Sequence, residues 1–422
     1  MKTIAVIGFG KIGQAVAANM LLHGLHVVAV DTDTTIAGRF YENTFHTNEP
    51  GVLTVLTDAC NEGNLHIEIT LDDHTPDAVI ICIPLAVDQE KKTIDAPFIQ
   101  CFQQLVSHCS NKLLIVVETS VPVGYSRKVL LPVLESSGKK HGVDFLLSHS
   151  PERIKSGTML TQLEKIPKVI GGISAEATEA NYRLYQQFFS TELLYRVENT
   201  ETAEMMKLAG MIYRDVNIAL ANQLAMFAQL SGIDLPSLLP LINADGEANL
   251  LQPGIGVGGH CTPVYPYFLI DNFRHAGLDF SIARAGRQIN DNMAAFAVSL
   301  IRDKVRNKTA LVLGLSFRPN VKEDANSVGA SLYGLLEQEG FDVFMHDAEF
   351  SQPELEHKGF AFADPSKTDA EVVFLVTMHR EYRQLDFTAM AANGVRFIVD
   401  GRNALDRRIV ESAGISYTGI GR

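Results

Sequence analysis

The sequence predicts an α/β protein in which two Rossmann-type domains, each a doubly wound parallel sheet, are joined by a helical middle domain with one long helix. Three observations carry this. Short β-branched runs alternate with helical segments at both ends of the chain, a glycine-rich turn follows the first strand, and Glu201 to Leu230 keeps an apolar helical rhythm without proline. The 422 residues exceed one ordinary domain, and we expect three, at 1–197, 198–303 and 304–422.

The first strand is Thr3 to Ile7, followed by Gly8, Gly10 and Gly13 and by a helix carrying Ala15, Val16 and Met20. The next strand, His26 to Val30, ends at Asp31, and further strands are expected at Ala78–Ile83, Leu113–Val117, Phe145–Leu147 and Val169–Ile170. After the long helix, more helix surrounds Leu235 to Leu241 and Phe280 to Arg302, while the glycine and proline of Gln252 to Tyr267 predict a loop. A second series of strands at Ala310–Leu315, Asp342–His346, Val372–Val376 and Phe397–Asp400 repeats the α/β logic without the glycine fingerprint.

Composition narrows the class. Nearly half the residues are apolar, enough for large cores, yet no uninterrupted apolar run is long enough to span a membrane. The chain opens on a strand pattern, so no secretory leader is expected. Five cysteines, an odd number, predict reduced thiols and a cytoplasmic protein, and the net charge of -13 argues against a nucleic-acid partner. A soluble cytosolic enzyme or binding protein for small molecules is expected, with no metal.

In Gly8-Phe-Gly-Lys-Ile-Gly13 each glycine has a physical task. The first permits a tight turn, the second lets backbone approach a pyrophosphate, and the third allows close helix–strand packing. The helix start at Lys11 and Ile12 then faces the phosphates with free N–H groups and partial positive charge. Asp31 ends the second strand, where a carboxylate accepts hydrogen bonds from both ribose hydroxyls and repels a 2′-phosphate, so NAD is expected as cofactor. Pro84 and Ser120 complete the expected cofactor set.

The stretch Pro253-Gly-Ile-Gly-Val-Gly-Gly-His-Cys261 places four glycines among the six residues from 254 to 259. Such a loop lays backbone N–H groups against a phosphate or a developing oxyanion, and it delivers Cys261 with His260 beside it. A lone intracellular cysteine is most often a small buried hydrophobe. In a chain that binds NAD, however, a thiol beside the nicotinamide captures an aldehyde as a thiohemiacetal, which loses hydride to give a thioester.

Gly258-Gly-His-Cys-Thr-Pro-Val264 resembles the active-site signature of the UDP-glucose/GDP-mannose dehydrogenase family, nearest its UDP-N-acetylmannosamine and UDP-N-acetylglucosamine 6-dehydrogenase branch. The likeness spans the chain in the family's order: Thr119-Ser-Val-Pro-Val-Gly124, Ser150-Pro-Glu-Arg-Ile154, Thr202-Ala-Glu-Met-Met-Lys207, Arg214 to Asn222, Gly314 to Asn320, and Asp400-Gly-Arg-Asn403. The resemblance implies two successive NAD-dependent oxidations at C6 of a nucleotide-linked sugar, a UDP-sugar being expected: alcohol to aldehyde, aldehyde to cysteine thioester, and hydrolysis to the acid. It implies Cys261 as nucleophile, Lys207 as stabiliser of oxyanions, Glu152 as activator of water, and Ser120 in place of a threonine that holds a catalytic water. It also implies substrate contacts from Glu152, Arg153, Ile154, Lys207, Gly256, Gly258, Gly259, Tyr265 and Arg318, a homodimer packed through the long helix, and a place in polysaccharide precursor synthesis.

The chain departs from the family on the substrate side. Tyr265 stands where the family has an aspartate, Met211 where it has an asparagine, and Glu247 where an arginine crosses the dimer to the substrate. Arg318 replaces a lysine and keeps its charge, whereas Ala325 replaces an arginine. A phenol titrating at about 10 is a poor base near neutrality. Two further readings follow: a related dehydrogenase that takes a nucleoside-type substrate or stops after one two-electron oxidation, and a catalytically weakened NAD-binding regulatory protein. Retention of Cys261, Lys207 and Glu152 together speaks against the last.

Overall fold

The computed structural model describes residues 2–42, 44–47, 49–88 and 90–422. The chain folds as two compact units, Met1–Gly210 with Tyr267–Ala276, and Met211–Pro266 with Gly277–Arg422.

In the first unit the strands are β1 (Thr3–Ile7), β2 (His26–Val30), β3 (Leu65–Glu68), β4 (Ala78–Ile81), a small hairpin of β5 (Ala86–Val87) and β6 (Thr93–Ile94), then β7 (Leu113–Val117), β8 (Phe145–His149), β9 (Lys168–Gly172) and β10 (Leu194–Arg196). The sheet order is β10-β9-β8-β7-β4-β1-β2-β3, with the strand order reversing between β1 and β4. The middle strands β4, β7 and β8 are buried along their whole length; β4 and β7 read as unbroken apolar runs, while β8 closes on buried Ser148 and His149. Helices Lys11–Leu22 and Ala175–Tyr185 contribute Val16, Met20, Tyr182 and Tyr185 to the core on one face.

The first sheet is parallel and doubly wound, as expected, with one antiparallel pairing. From β3 to β8 the neighbours are parallel, but β9 pairs antiparallel with β8 through Ser148↔Gly172 and His149↔Gly171. A parallel connection needs a crossover element that carries the chain back along the sheet. The segment 150–167 holds only the five-residue helix Met159–Leu163, about half the length of a five-residue strand. β9 therefore enters from the end at which β8 leaves.

The second unit holds β11 (Thr309–Leu313), β12 (Asp342–His346), β13 (Val372–Leu375), β14 (Phe397–Asp400) and β15 (Ser416–Gly419), all parallel in the order β12-β11-β13-β14-β15. Alternate residues fill two cores: Val312, Phe374 and Val399 point to one, Leu311, Val373 and Ile398 to the other. This sheet also carries glycine packing that its sequence hides. A methyl group on Gly329 would fall 2.1 Å from the Gly314 carbonyl oxygen, just as one on Gly13 would fall 2.1 Å from that of Gly8. Two of the three fingerprint glycines thus recur, spread over a longer loop.

The long helix runs Thr200–Ser231, and shorter ones run Leu235–Ile242 and Ser281–Ser299. The segment expected to be loop to Tyr267 becomes helical earlier, at Tyr265–His275, because Tyr265 N–H donates to the Cys261 carbonyl at 2.9 Å and starts the turn. No helix among the described residues is long and apolar enough to cross a membrane.

Candidate active site

At the carboxyl end of β1, Gly8 adopts φ +91° and donates its N–H to the Val30 carbonyl at 2.8 Å, with the backbone of Ile83 packed where a side chain would stand. Gly13 is closed in by Gly8 itself, whereas a methyl on Gly10 would meet nothing within 4 Å. The open space lies at the glycine through which a pyrophosphate approaches. No side chain caps the helix Lys11–Leu22, and no acidic residue occupies its first turn. Its N-terminus at Lys11, Ile12 and Gly13 therefore suits an anion. Asp31 accepts the Phe9 N–H at 2.7 Å and the Asp33 N–H at 3.0 Å, and a carboxylate retains further lone pairs for ribose hydroxyls. Thr119 donates to the Ile83 carbonyl at 2.6 Å, tying the loop that carries buried Ser120 to the loop that carries exposed Pro84. Because β1, β2, β4 and β7 are parallel, these residues share one end of the sheet. The residues present fit NAD.

Glu152 and Lys207 meet in the same unit. The Lys207 ammonium donates to the Glu152 backbone carbonyl at 2.7 Å, and both residues are buried. One Glu152 carboxylate oxygen accepts the N–H groups of Arg153 at 2.6 Å and Ile154 at 3.1 Å, and the other accepts Lys168 at 2.7 Å. Burial alone would push the Glu152 carboxyl up, but Lys168, the Arg153 N–H and Lys207 outweigh it and hold the group below its usual range. Arg153 directs its guanidinium to the Pro167 carbonyl at 2.6 Å, and Ile154 packs against the core, so these two act on Glu152 through backbone. Sequence reasoning missed the partners behind Glu152. Lys168 also bonds Glu118, whose other oxygen accepts the Tyr185 hydroxyl. Burial pushes Glu118 up to about 7. A glutamate closing the apolar run Ile115-Val-Val-Glu118 was the available signal.

Cys261 belongs to the second unit and is half-buried. Its loop is held by specific contacts. Gly259 N–H donates to the Ala325 carbonyl at 2.8 Å, and Asn326 donates to the Gly259 carbonyl at 3.1 Å. A methyl on Gly258 would fall 2.8 Å from Phe317 Cβ and 2.9 Å from the Asn326 carbonyl oxygen, and Gly256 faces Val328 at 3.2 Å. Ala325 thus serves through its backbone, for which no arginine is needed. The Cys261 sulfur and the Tyr265 hydroxyl lie 3.5 Å apart, so the phenol stands where it can donate to a thiolate. At the loop's start, Gly254 N–H is accepted by buried Asn222 at 2.8 Å. Met211 is partly buried on the long helix, and Glu247 is exposed.

At the carboxyl ends of β11, β13 and β14 a cavity of about 690 Å³ is lined by Pro319, Asn320, Met378, Arg380, Arg383, Arg402 and Ala404. Ligands bind α/β sheets at this end, and three guanidiniums suit a diphosphate. Arg318, half-buried beside Pro319, is not among the lining residues, so the cavity's charge comes from Arg402 of the closing Asp400-Gly-Arg-Asn403 motif and from Arg380 and Arg383, which the sequence reading did not single out.

Three family models match the chain in succession. They describe the UDP-glucose/GDP-mannose dehydrogenase family's NAD binding domain over residues 2–189, central domain over 201–292, and UDP binding domain over 311–407. The UDP-N-acetyl-D-mannosamine dehydrogenase of Methanocaldococcus jannaschii is 30% identical over 100% of this chain and 96% of its own length. The solved UDP-D-ManNAc dehydrogenase from Pyrococcus horikoshii superposes with a TM-score of 0.91 at 27% identity, covering 100% of this chain and 99% of that one. The native UDP-N-acetyl-mannosamine dehydrogenase of Staphylococcus aureus does so with a TM-score of 0.84 at 27% identity, covering 100% and 98%.

Proposed function

The chain belongs to the UDP-glucose/GDP-mannose dehydrogenase family, and from that premise we propose that it oxidises C6 of a UDP-linked N-acetylated amino sugar to the carboxylate through a Cys261 thioester. It is an NAD-dependent oxidoreductase acting on nucleotide sugars. The choice of sugar follows the relatives, several of which are UDP-N-acetyl-D-mannosamine dehydrogenases. The observation that carries the thioester is Cys261 at the end of a loop in which Gly258 leaves no room for a side chain and Gly256 and Gly259 take positive φ, with a phenol 3.5 Å from its sulfur.

Bound NAD supplies the hydride acceptor for each oxidation. The alcohol loses its proton as it becomes aldehyde, with Lys207 stabilising the developing alkoxide. The Cys261 thiolate then adds to the aldehyde carbon, and the resulting oxyanion is again stabilised by Lys207. Removal of two electrons leaves the thioester. Glu152 takes a proton from water, the hydroxide adds to the thioester carbon, and the Cys261 thiolate departs as the acid forms. Ser120 positions that water, Gly256, Gly258 and Gly259 offer backbone N–H groups to the substrate, and Tyr265 supports the thiolate in place of the family's aspartate. Arg380, Arg383 and Arg402 bind the diphosphate, with Arg318 adding positive charge nearby. In this reading residues 1–197 bind NAD, 198–303 carry the cysteine loop, and 304–422 bind the nucleotide.

A homodimer is the matching assembly. Tyr213, Leu220, Leu224 and Phe227, spaced to share one helix face, are 39–64% exposed. A second copy of the chain covers them. Each of the five cysteines is a free thiol, which supports the cytoplasm as the compartment, and an acidic sugar nucleotide suits polysaccharide precursor synthesis.

The test is NADH yield from the purified protein with UDP-N-acetyl-D-mannosamine and a panel of other nucleotide sugars, with Cys261→Ser alongside. Two NADH per sugar, abolished in the variant, is the expected result. One NADH with released aldehyde would favour a single two-electron oxidation, and none with any sugar despite NAD binding would overturn the reading.

A further inference from the structure

Behind Glu152 lies a buried set of charges that the reaction above leaves without a task. Glu118 follows β7, Lys168 opens β9 and Tyr185 ends a helix, and their exposures are 2%, 3% and 0%. The Lys168 ammonium bridges Glu118 and Glu152, and the rings of Tyr185 and Phe189 lie 5.2 and 5.8 Å from it. The other titratable groups here are His149 on β8, Cys82 after β4, and Lys207 on the long helix. His149 is fully buried with no hydrogen-bond partner on either ring nitrogen, and burial, with Lys168 adding to it, keeps it neutral. Burial and the two carboxylates likewise keep the Cys82 thiol protonated. The variable charges are therefore two carboxylates that share one ammonium.

We propose that Lys168 and Glu118 are positioning residues for Glu152: Lys168 holds and aims its carboxylate, and the charge on Glu118 sets how strongly that carboxylate attracts a proton from water. This rests on the reading of Glu152 as the hydrolytic base. The physics is a competition in a low-dielectric site. When Glu118 is protonated, the Lys168 charge falls on Glu152 alone and makes it a weak base. When Glu118 is ionised it draws on the same ammonium, and Glu152 becomes more basic. Glu118 titrates at about 7, so this exchange occurs in the working range of a cytoplasmic enzyme. Two backbone N–H groups hold the other Glu152 oxygen, so its orientation survives the change.

The experiment is the pH profile of acid formation from UDP-N-acetyl-D-mannosamine, with the Cys261 thioester followed by intact mass after acid quench. In the wild type kcat rises through about pH 7. Glu118→Gln removes that rise, lowers kcat at pH 8 by about tenfold with KM unchanged, and lets the thioester accumulate. Lys168→Arg retains the rise and Lys168→Met loses it. Glu118→Asp, the milder change, displaces the rise along the pH axis while NADH affinity stays intact. A wild-type profile in Glu118→Gln, or in Glu118→Asp should the glutamine variant not fold, overturns the proposal if Glu152→Gln is still defective in hydrolysis. Wild-type hydrolysis by Glu152→Gln, or no acid from the wild type, would instead overturn the reading beneath it.

Discussion

Asp31 and Asp347 make the same contact in the two halves of the chain. Asp31 accepts the Phe9 N–H at 2.7 Å and Asp347 accepts the Ser316 N–H at 2.7 Å, each from the turn that follows the first strand of its sheet. Glycines accompany both: Gly8 with Gly13, five residues apart, and Gly314 with Gly329, fifteen apart. The halves share one way of closing a strand–turn–helix unit on the neighbouring strand. They differ in that Asp347 is fully enclosed and paired with buried His379 at 3.2 Å, while Asp31 is only half-buried. Only the first carboxylate therefore remains within reach of a ribose.

That difference predicts how glycine variants separate binding from stability. Gly10→Ala meets nothing within 4 Å, so it should leave the melting temperature nearly unchanged yet weaken NADH binding tenfold or more on the order of one lost backbone approach. Gly13→Ala drives a methyl to 2.1 Å from a carbonyl oxygen and should cost roughly 3 kcal/mol or more of stability. Thermal melts paired with NADH fluorescence titrations distinguish the two.

The arginine cavity predicts nucleotide affinity. Arg402→Ala and Arg380→Ala should each weaken UDP binding by about tenfold, the worth of one charge-assisted hydrogen bond, and leave NADH binding unaffected. Calorimetric titration with UDP is the measurement, and unchanged affinity in both variants would place the diphosphate elsewhere.

Glu204 predicts a pH dependence of stability. Its carboxylate accepts the Gly124 N–H at 2.5 Å and the Ser126 N–H at 3.0 Å, yet burial pushes it up from 4.5 to about 7. Between those values the folded chain holds a proton that the unfolded chain has released. Stability therefore falls as pH rises from 4.5 to 7, by up to about 1.4 kcal/mol per pH unit for this group, and is level above 7. Urea midpoints measured from pH 5 to 8 should show the decline, and Glu204→Gln should lessen its slope, leaving the part that Glu118, also pushed up to about 7 by burial, contributes.

The exposed face of the long helix predicts an assembly. Phe227→Lys adds a charge to a side chain that is 64% exposed, so it should not unfold the chain, but it should convert a dimer to a monomer in sedimentation. A monomeric wild type would remove this part of the proposal.

Read alone, the amino-acid order encodes local structure. β1, β2, β7 and β14 were legible to the residue because largely buried strands are apolar runs, β12 because its apolar centre Val343-Phe-Met345 stands out, and the long helix because its apolar rhythm has one short break and no proline. Cys261 stood out because no ordinary connector needs four glycines in six residues. The strands β3, β10 and β15 escaped: they are three or four residues long, lie at or beside sheet edges, and alternate with polar residues. The antiparallel turn into β9, the Lys168 bridge and the arginine cavity arise only in the folded chain. Glu118 and Lys168 are fifty residues apart in the chain, and Arg380 and Arg402 come from different loops at the end of one sheet. No periodicity encodes such meetings. The Lys168 bridge exists because burial leaves a charge no water to turn to, so it must find its partner across the fold, whereas the exposed arginines meet because parallel strands end their loops on one side of the sheet.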